Sequence, residues 1–120
     1  MAGEQQVVRG YCLLLPDPVG AHLNVLTPEH RTQFLHDMAA LGEALLEVTG
    51  AARINYEMLG NLEPALHAHL FPRYDTEPPD LRTRPIWFYD WAQARLFDAG
   101  TDGAWVRSVA ERLRSQGQSA

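Results

Sequence analysis

The chain contains no lysine; all ten of its basic side chains are arginines. This excludes a P-loop lysine, a Schiff-base lysine and a lysine general base. Cysteine occurs once, at Cys12, so no intramolecular disulfide can form and the cysteine pattern gives no sign of a secreted scaffold. No run approaches the ~20 apolar residues of a membrane span, and the N-terminus lacks a basic-then-apolar signal pattern. A cytoplasmic protein without membrane contact is the expectation. The formal net charge of −5 argues against a nucleic-acid polymer as partner, because that needs a basic face. A small anion held by backbone amides and a few side chains remains compatible with this charge.

What is present suits a single domain over residues 1–120. Hydrophobic content of 46% and charged content of 21% are ordinary for a globular chain, and neither a repeat nor a linker divides it. Met1–Gln6 and Gln116–Ala120 are polar and read as frayed ends. Val7–Leu15 reads as a strand, with Tyr11, Leu13 and Leu15 on one face and Cys12 and Leu14 on the other. Cys12 is then a small core residue. Asp17–Gly20 is a turn by composition.

Thr27-Pro28-Glu29 opens a helix, because Thr27 can cap and Pro28 suits the first helical position. Phe34, Leu35, Met38, Leu41, Leu45 and Val48 recur at three- and four-residue spacing, and Gly50 supplies the stop. A stripe this wide would cover one face of a sheet. Arg53–Leu59 reads as the next strand, with Ile54, Tyr56 and Met58 on one face and Asn55 and Glu57 on the other. Gly60-Asn61 suits a turn. Asp75–Pro85 carries three prolines and reads as a surface loop. Ile86–Trp91 holds four aromatics in six residues, suited to core packing, to a dimer seam or to stacking on a nucleobase. Gly100–Ala104 reads as a loop with Asp102 as a cap, followed by a short helix over Trp105–Arg114.

The stretch richest in chemistry is Leu62–Tyr74, L-E-P-A-L-H-A-H-L-F-P-R-Y. Leu66–Phe71 alternates as a strand, so His67 and His69 share one face about 6.6 Å apart, at ~3.3 Å per residue. Leu66, Ala68 and Leu70 point the other way, into a core. Pro72, lacking an N–H, would stop the ladder. Three explanations fit such a pair. The imidazoles can be half-buried and structural; they can ligate a metal; or one can be a nucleophile toward phosphorus while its neighbour holds the phosphate. A metal needs further ligands, for which His22, His30, His36 and Asp75 are the loose candidates.

The longer run Ile54–Tyr74 resembles the signature region of the histidine-triad (HIT) superfamily of nucleotide hydrolases and transferases, in its diadenosine-polyphosphate-hydrolase-like branch. The second and third histidines of that motif match His67 and His69, and the first falls on Ala65. Gly60, Asn61, Pro64, Pro72 and Arg73 also stand where such proteins tend to have them. Gly10–Cys12, Leu26–Glu29 and the helix that follows are similar as well, so the resemblance spans roughly Gly10 to Trp87. It departs a second time after the first strand, where Pro18 and Val19 replace a basic residue and a histidine; His22 could substitute only through a re-routed loop.

The resemblance implies an α+β fold, with an antiparallel sheet of about four to five strands, one long helix on a face and a short C-terminal helix. It further implies a small-molecule nucleotide as ligand, with His67 as nucleophile, His69 holding the phosphate, and Asn55 and Asn61 facing substrate. The chemistry so implied needs no metal or other cofactor, and the protein would be a two-fold homodimer. The alternative it leaves open is a non-catalytic nucleotide-binding or interaction protein on the same scaffold.

Overall fold

The longest element forms where an apolar stripe and two capping signals agree. Helix α1 spans Pro28–Thr49. Thr27 Oγ1 accepts from the His30 N–H at 3.2 Å, Pro28 sits in the first turn, and Gly50 closes the helix at φ 71°. In this computed structural model, which describes residues 1–60 and 65–117, α1 lies on one face of a small antiparallel sheet.

The architecture is α+β. Five strands are present among the described residues: β1 (Gln5–Gln6), β2 (Cys12–Leu14), β3 (Arg53–Glu57), β4 (Ala68–Arg73) and β5 (Arg95–Leu96). They divide into a three-stranded sheet ordered β2-β4-β3 and a two-stranded ribbon of β1 with β5, all antiparallel. A second helix, α2 (Ala99–Ser115), packs beside α1.

The sheet has two covered faces, and the alternation of β4 decides what each receives. Ala68 and Leu70 are fully buried with Phe34, Leu41, Leu45, Trp105 and Val109 on the helix side. Cys12 joins this layer, and burial pushes its thiol up to about 11, as suits an inert core residue. On the other face Phe71 packs with Val8, Tyr11 and Ile86, and Trp91 and Tyr89 lie against them. The Ile86–Trp91 segment supplies this second layer, with a 3-10 turn over Ile86–Phe88 and another, Trp91–Gln93, beginning at its last residue.

Several boundaries differ from expectation. Met1–Gln6 is tied down rather than frayed: Gly3 N donates to Tyr11 O at 2.8 Å, Leu13 N to Met1 O at 2.7 Å, and Gln6 pairs in β1. The buried Gln6 amide donates to the Gly3 and Tyr11 carbonyls and accepts from Gly10 N, so residues 6–11 form a hydrogen-bonded turn. With Gly10 at φ 93°, the expected Val7–Leu15 strand shortens to β2. Pro72 does not stop the ladder but lies inside β4, opposite Ile54. On its other side β2 begins only at Cys12, opposite Leu70, so no strand there waits for a donor.

β3 likewise ends at Glu57 rather than at Leu59. α2 begins well before Trp105, capped by Asp98, whose carboxylate accepts from Thr101 N at 2.8 Å. Asp102, expected as the cap, is instead fully buried in the first turn. It accepts from Arg95 Nη1 and Nη2 at 2.7 and 2.8 Å and from Trp105 Nε1 at 2.8 Å, fastening α2 to β5. The Arg95 guanidinium holds its carboxyl well below the usual range.

Candidate functional site

Strand parity puts His67, His69, Phe71 and Arg73 on the face away from the helices. The ladder register then brings neighbours to them: Leu13 of β2 and Glu57 of β3 both stand opposite His69, and Asn55 stands opposite Phe71. His67 precedes the first residue of β4, and the two imidazole centroids lie 4.7 Å apart, edge to face. Leu13, Leu15, Ala65, His67 and His69 line an open pocket of about 250 Å³.

Each ring is held through Nδ1. His67 Nδ1 lies 2.9 Å from the Ala65 carbonyl oxygen. A carbonyl only accepts, so this nitrogen carries the proton and Nε2 is the basic nitrogen of the neutral ring. Ala65 thus acts on His67 through its backbone carbonyl. His69 Nδ1 lies 2.6 Å from the Tyr11 hydroxyl. The His69 ring stacks in parallel with Phe71 at 5.7 Å and meets the edge of Trp87 at 5.6 Å. Burial, then the neighbouring His67, lower the pKa of His69 below its ordinary value. Burial, with Cys12 and Glu57 nearby, pushes the Tyr11 hydroxyl up to about 12, so it keeps its proton at neutral pH.

Tyr11 and Glu57 were absent from the residues expected at the site, and Trp87 was expected there only as part of the Ile86–Trp91 run, in one of its three readings. Glu57 could have been found by parity, since it shares a face with Asn55. Its Oε2 is buried without a hydrogen-bond partner among the described residues. Trp87 remains 42% exposed beside the pair, stacked on Trp91 at 4.9 Å. Asn55 lies further along β3, where its Oδ1 accepts from Arg73 Nη1 at 2.8 Å. Asn61 lies outside the described residues.

The loop after β2 comes back to the site, because Gly20 O accepts from Leu66 N at 2.8 Å. Val19 on that loop is 64% exposed, and His22 is exposed at the start of a 3-10 turn. Among the described residues no group of three or more His, Cys, Asp or Glu is placed to hold a metal ion. A second void, about 130 Å³ between β2, α1 and α2, is lined mostly by apolar side chains. The histidine pocket is therefore the better candidate for chemistry.

The fold is that of solved histidine triad proteins. A histidine triad protein from Sinorhizobium meliloti 1021 matches 93% of this chain and 80% of its own, at TM-score 0.80 and 21% identity. One from Bradyrhizobium japonicum matches 92% and 80%, at TM-score 0.80 and 23% identity. A third, from Marinobacter aquaeolei VT8, matches 95% and 80%, at TM-score 0.80 and 22% identity. No family model and no curated protein matches the sequence. No helix among the described residues is long and apolar enough to cross a membrane.

Proposed function

We propose that the chain is a nucleotide-binding protein of the histidine-triad kind that acts at an α-phosphate through a nucleotidyl-histidine on His67. The observation that carries this reading is the hydrogen bond from His67 Nδ1 to the Ala65 carbonyl, which leaves Nε2 as a nucleophile beside the pocket. A dinucleoside polyphosphate or a nucleoside phosphoramidate would supply the phosphorus. His67 Nε2 forms a P–N bond as the bond to the leaving oxygen or nitrogen breaks, and the leaving group departs with that electron pair. The Nδ1–H bond to Ala65 O stabilises the positive charge the ring acquires. Water then attacks phosphorus, the P–N electrons return to Nε2, and the water proton passes to solvent. His69 hydrogen-bonds the equatorial oxygens as charge develops on them. Asn55, through its amide N–H, and Asn61 are proposed as further contacts to the nucleotide.

Ala65 also supports a second reading, in which the pocket binds nucleotide without turning it over. Incubation with a panel of dinucleoside polyphosphates and phosphoramidates, with products identified by mass, separates the two. Alkali-quenched substrate should leave a nucleotidyl adduct on the peptide containing His67. Binding without product or adduct would put the second reading first.

We also propose a cytoplasmic, two-fold homodimer. β3 is an outer strand of its sheet, and Tyr56 and Met58 on or beside it are exposed, as are Leu35 and Leu46 of α1. Light scattering at micromolar concentration should give about twice 13.5 kDa; a clean monomer would sink this assembly.

A further inference from the structure

The contact between Tyr11 and His69 joins two elements that no motif connects, and it decides where a proton sits. We propose that Tyr11 is a positioning residue that locks His69 in the tautomer opposite to that of His67, so that the pair offers one basic nitrogen and one N–H to the same ligand. The phosphate-binding half of this inference rests on the function proposed above; the tautomer half does not.

The argument is one of satisfied protons. The Tyr11 residue is only 5% exposed, and its hydroxyl makes no other hydrogen bond among the described residues. If His69 carried its proton on Nδ1 and donated to Tyr11, the tyrosine proton would be left buried without an acceptor. That arrangement is costly. If Tyr11 donates to a bare Nδ1 instead, every proton at the contact is used, and the His69 proton moves to Nε2. No protein group among the described residues bonds that nitrogen, and the ring lines the pocket. His67 is fixed the other way by a carbonyl that can only accept. Two chemically identical side chains thereby become a nucleophile and a donor.

The geometry leaves Tyr11 little freedom to do otherwise. Its ring stacks on Phe71 at 4.3 Å and meets the edge of Trp91 at 6.0 Å. Behind it lies Gly3, where a Cβ would collide with the tyrosine ring, so the N-terminal segment closes over Tyr11 only because residue 3 has no side chain. The ionisable groups around His69 are then Tyr11 ahead of β2, His67 ahead of β4, and Glu57 opposite on β3. The aromatic cover adds no charge, consisting of Phe71 and Trp87.

The test is a long-range proton–nitrogen correlation spectrum of ¹⁵N-histidine-labelled protein near neutral pH, with His67→Ala and His69→Ala used for assignment. The expected spectrum shows His67 protonated at Nδ1 and His69 protonated at Nε2, with the His69 Nδ1 signal displaced by an accepted hydrogen bond. Tyr11→Phe keeps the stacked ring and should return that signal to the position of a free acceptor. A wild-type His69 protonated on Nδ1 overturns the proposal without any variant, as does a Tyr11→Phe spectrum in which the His69 nitrogens do not move. On a substrate the protein turns over, Tyr11→Phe should lower kcat about tenfold with KM nearly unchanged, less than the ~10²-fold expected for deleting a donor itself. An unchanged kcat would refute the positioning role. Should no substrate be turned over, the function proposed above fails, while the spectrum still decides what Tyr11 does.

Discussion

One face of β4 carries two polar clusters that are built in opposite ways. At its C-terminal end Arg73, 3% exposed, uses all three guanidinium nitrogens: Nε donates to Glu77, Nη1 to Asn55 Oδ1 and the Arg84 carbonyl, and Nη2 to the Leu81 carbonyl. Glu77 in turn accepts from Tyr74 N and the Tyr89 hydroxyl. At the other end, His67 and His69 each engage Nδ1 alone, and their Nε2 atoms find no partner among the described residues. Both clusters are desolvated polar groups on one sheet surface. The saturated one pins the 75–85 loop, and its guanidinium has nothing left to offer. The unsaturated one opens on a pocket, and what it lacks is what a ligand would bring.

The largest expected effect lies at the open cluster and concerns chemistry. His67→Ala should abolish the nucleotidyl adduct altogether, and His69→Ala should slow its formation by ~10²-fold, the scale of a lost transition-state donor. An adduct that survives without His67 would refute its role, and a divalent metal lost in both variants would favour ligation instead. Neither substitution should change unfolding free energy by more than about 1 kcal/mol, because both rings are only half-buried.

The closed cluster should invert that pattern. Arg73→Met leaves the Glu77 carboxylate buried beside unpaired carbonyls, and a buried ion pair broken on one side costs about 3–5 kcal/mol. Urea unfolding would measure it. A midpoint within error of wild type would show that Arg73 is not architectural and erase the contrast between the two ends of the strand.

The same contrast explains which features could be read from the sequence. α1 announces itself locally: its cap, its proline and its glycine all lie within a turn of its ends, and its stripe needs no partner to be seen. The facing of His67, His69, Ala68 and Leu70 follows from parity alone. The N-terminal ribbon does not, because Gln5–Gln6 pairs with Arg95–Leu96 from the far end of the chain. Asp102 was the expected cap, and only the position of Arg95 decides that it is buried and that Asp98 caps the helix. Within the site, the histidines are legible and their orientation is not. Tyr11 reaches His69 only because the β2-β4 register sets Leu13 against His69.

A smaller effect separates the clusters by pH. His69 is held below its ordinary pKa, so the unfolded chain binds its proton first, and stability falls as pH drops below ~6.5. At Glu77 burial opposes ionisation, but hydrogen bonds from Arg73, Tyr89 and the Tyr74 amide outweigh it and keep the carboxyl below its ordinary value. Its contribution is complete above pH ~4.3 and is lost as pH falls through the folded value. Wild type should therefore lose more stability than His69→Gln between about pH 7.5 and 5.5, and more than Glu77→Gln only below about pH 5. Parallel curves in either window would remove that residue from the account.

The smallest expected effect would move the open cluster toward the complete motif. Position 65 shares parity with 67 and 69, is half-buried and lines the same pocket, so Ala65→His would place a third imidazole beside the first two. The substitution keeps the carbonyl that orients His67, because every residue has one, and its ring has open volume to occupy. Stability should change by less than about 1 kcal/mol; a loss of 1–3 kcal/mol would mean that position 65 closes over and leaves the new imidazole unsatisfied. A protonated imidazole there can give its proton to the leaving group and be left neutral, and general acid help is typically worth ~10²-fold or more when geometry is optimal. The gain expected here is smaller, about threefold to tenfold, because Val19, where the resemblance would place another histidine, faces solvent. Adding Val19→His should raise it further if the loop fastened by Gly20 to Leu66 brings that residue to the pocket. Single-turnover rates on a phosphoramidate would measure both steps. Should the double variant bind nucleotide no better and hydrolyse none, the open cluster does not serve phosphoryl chemistry, and the pocket is left as a binding surface alone.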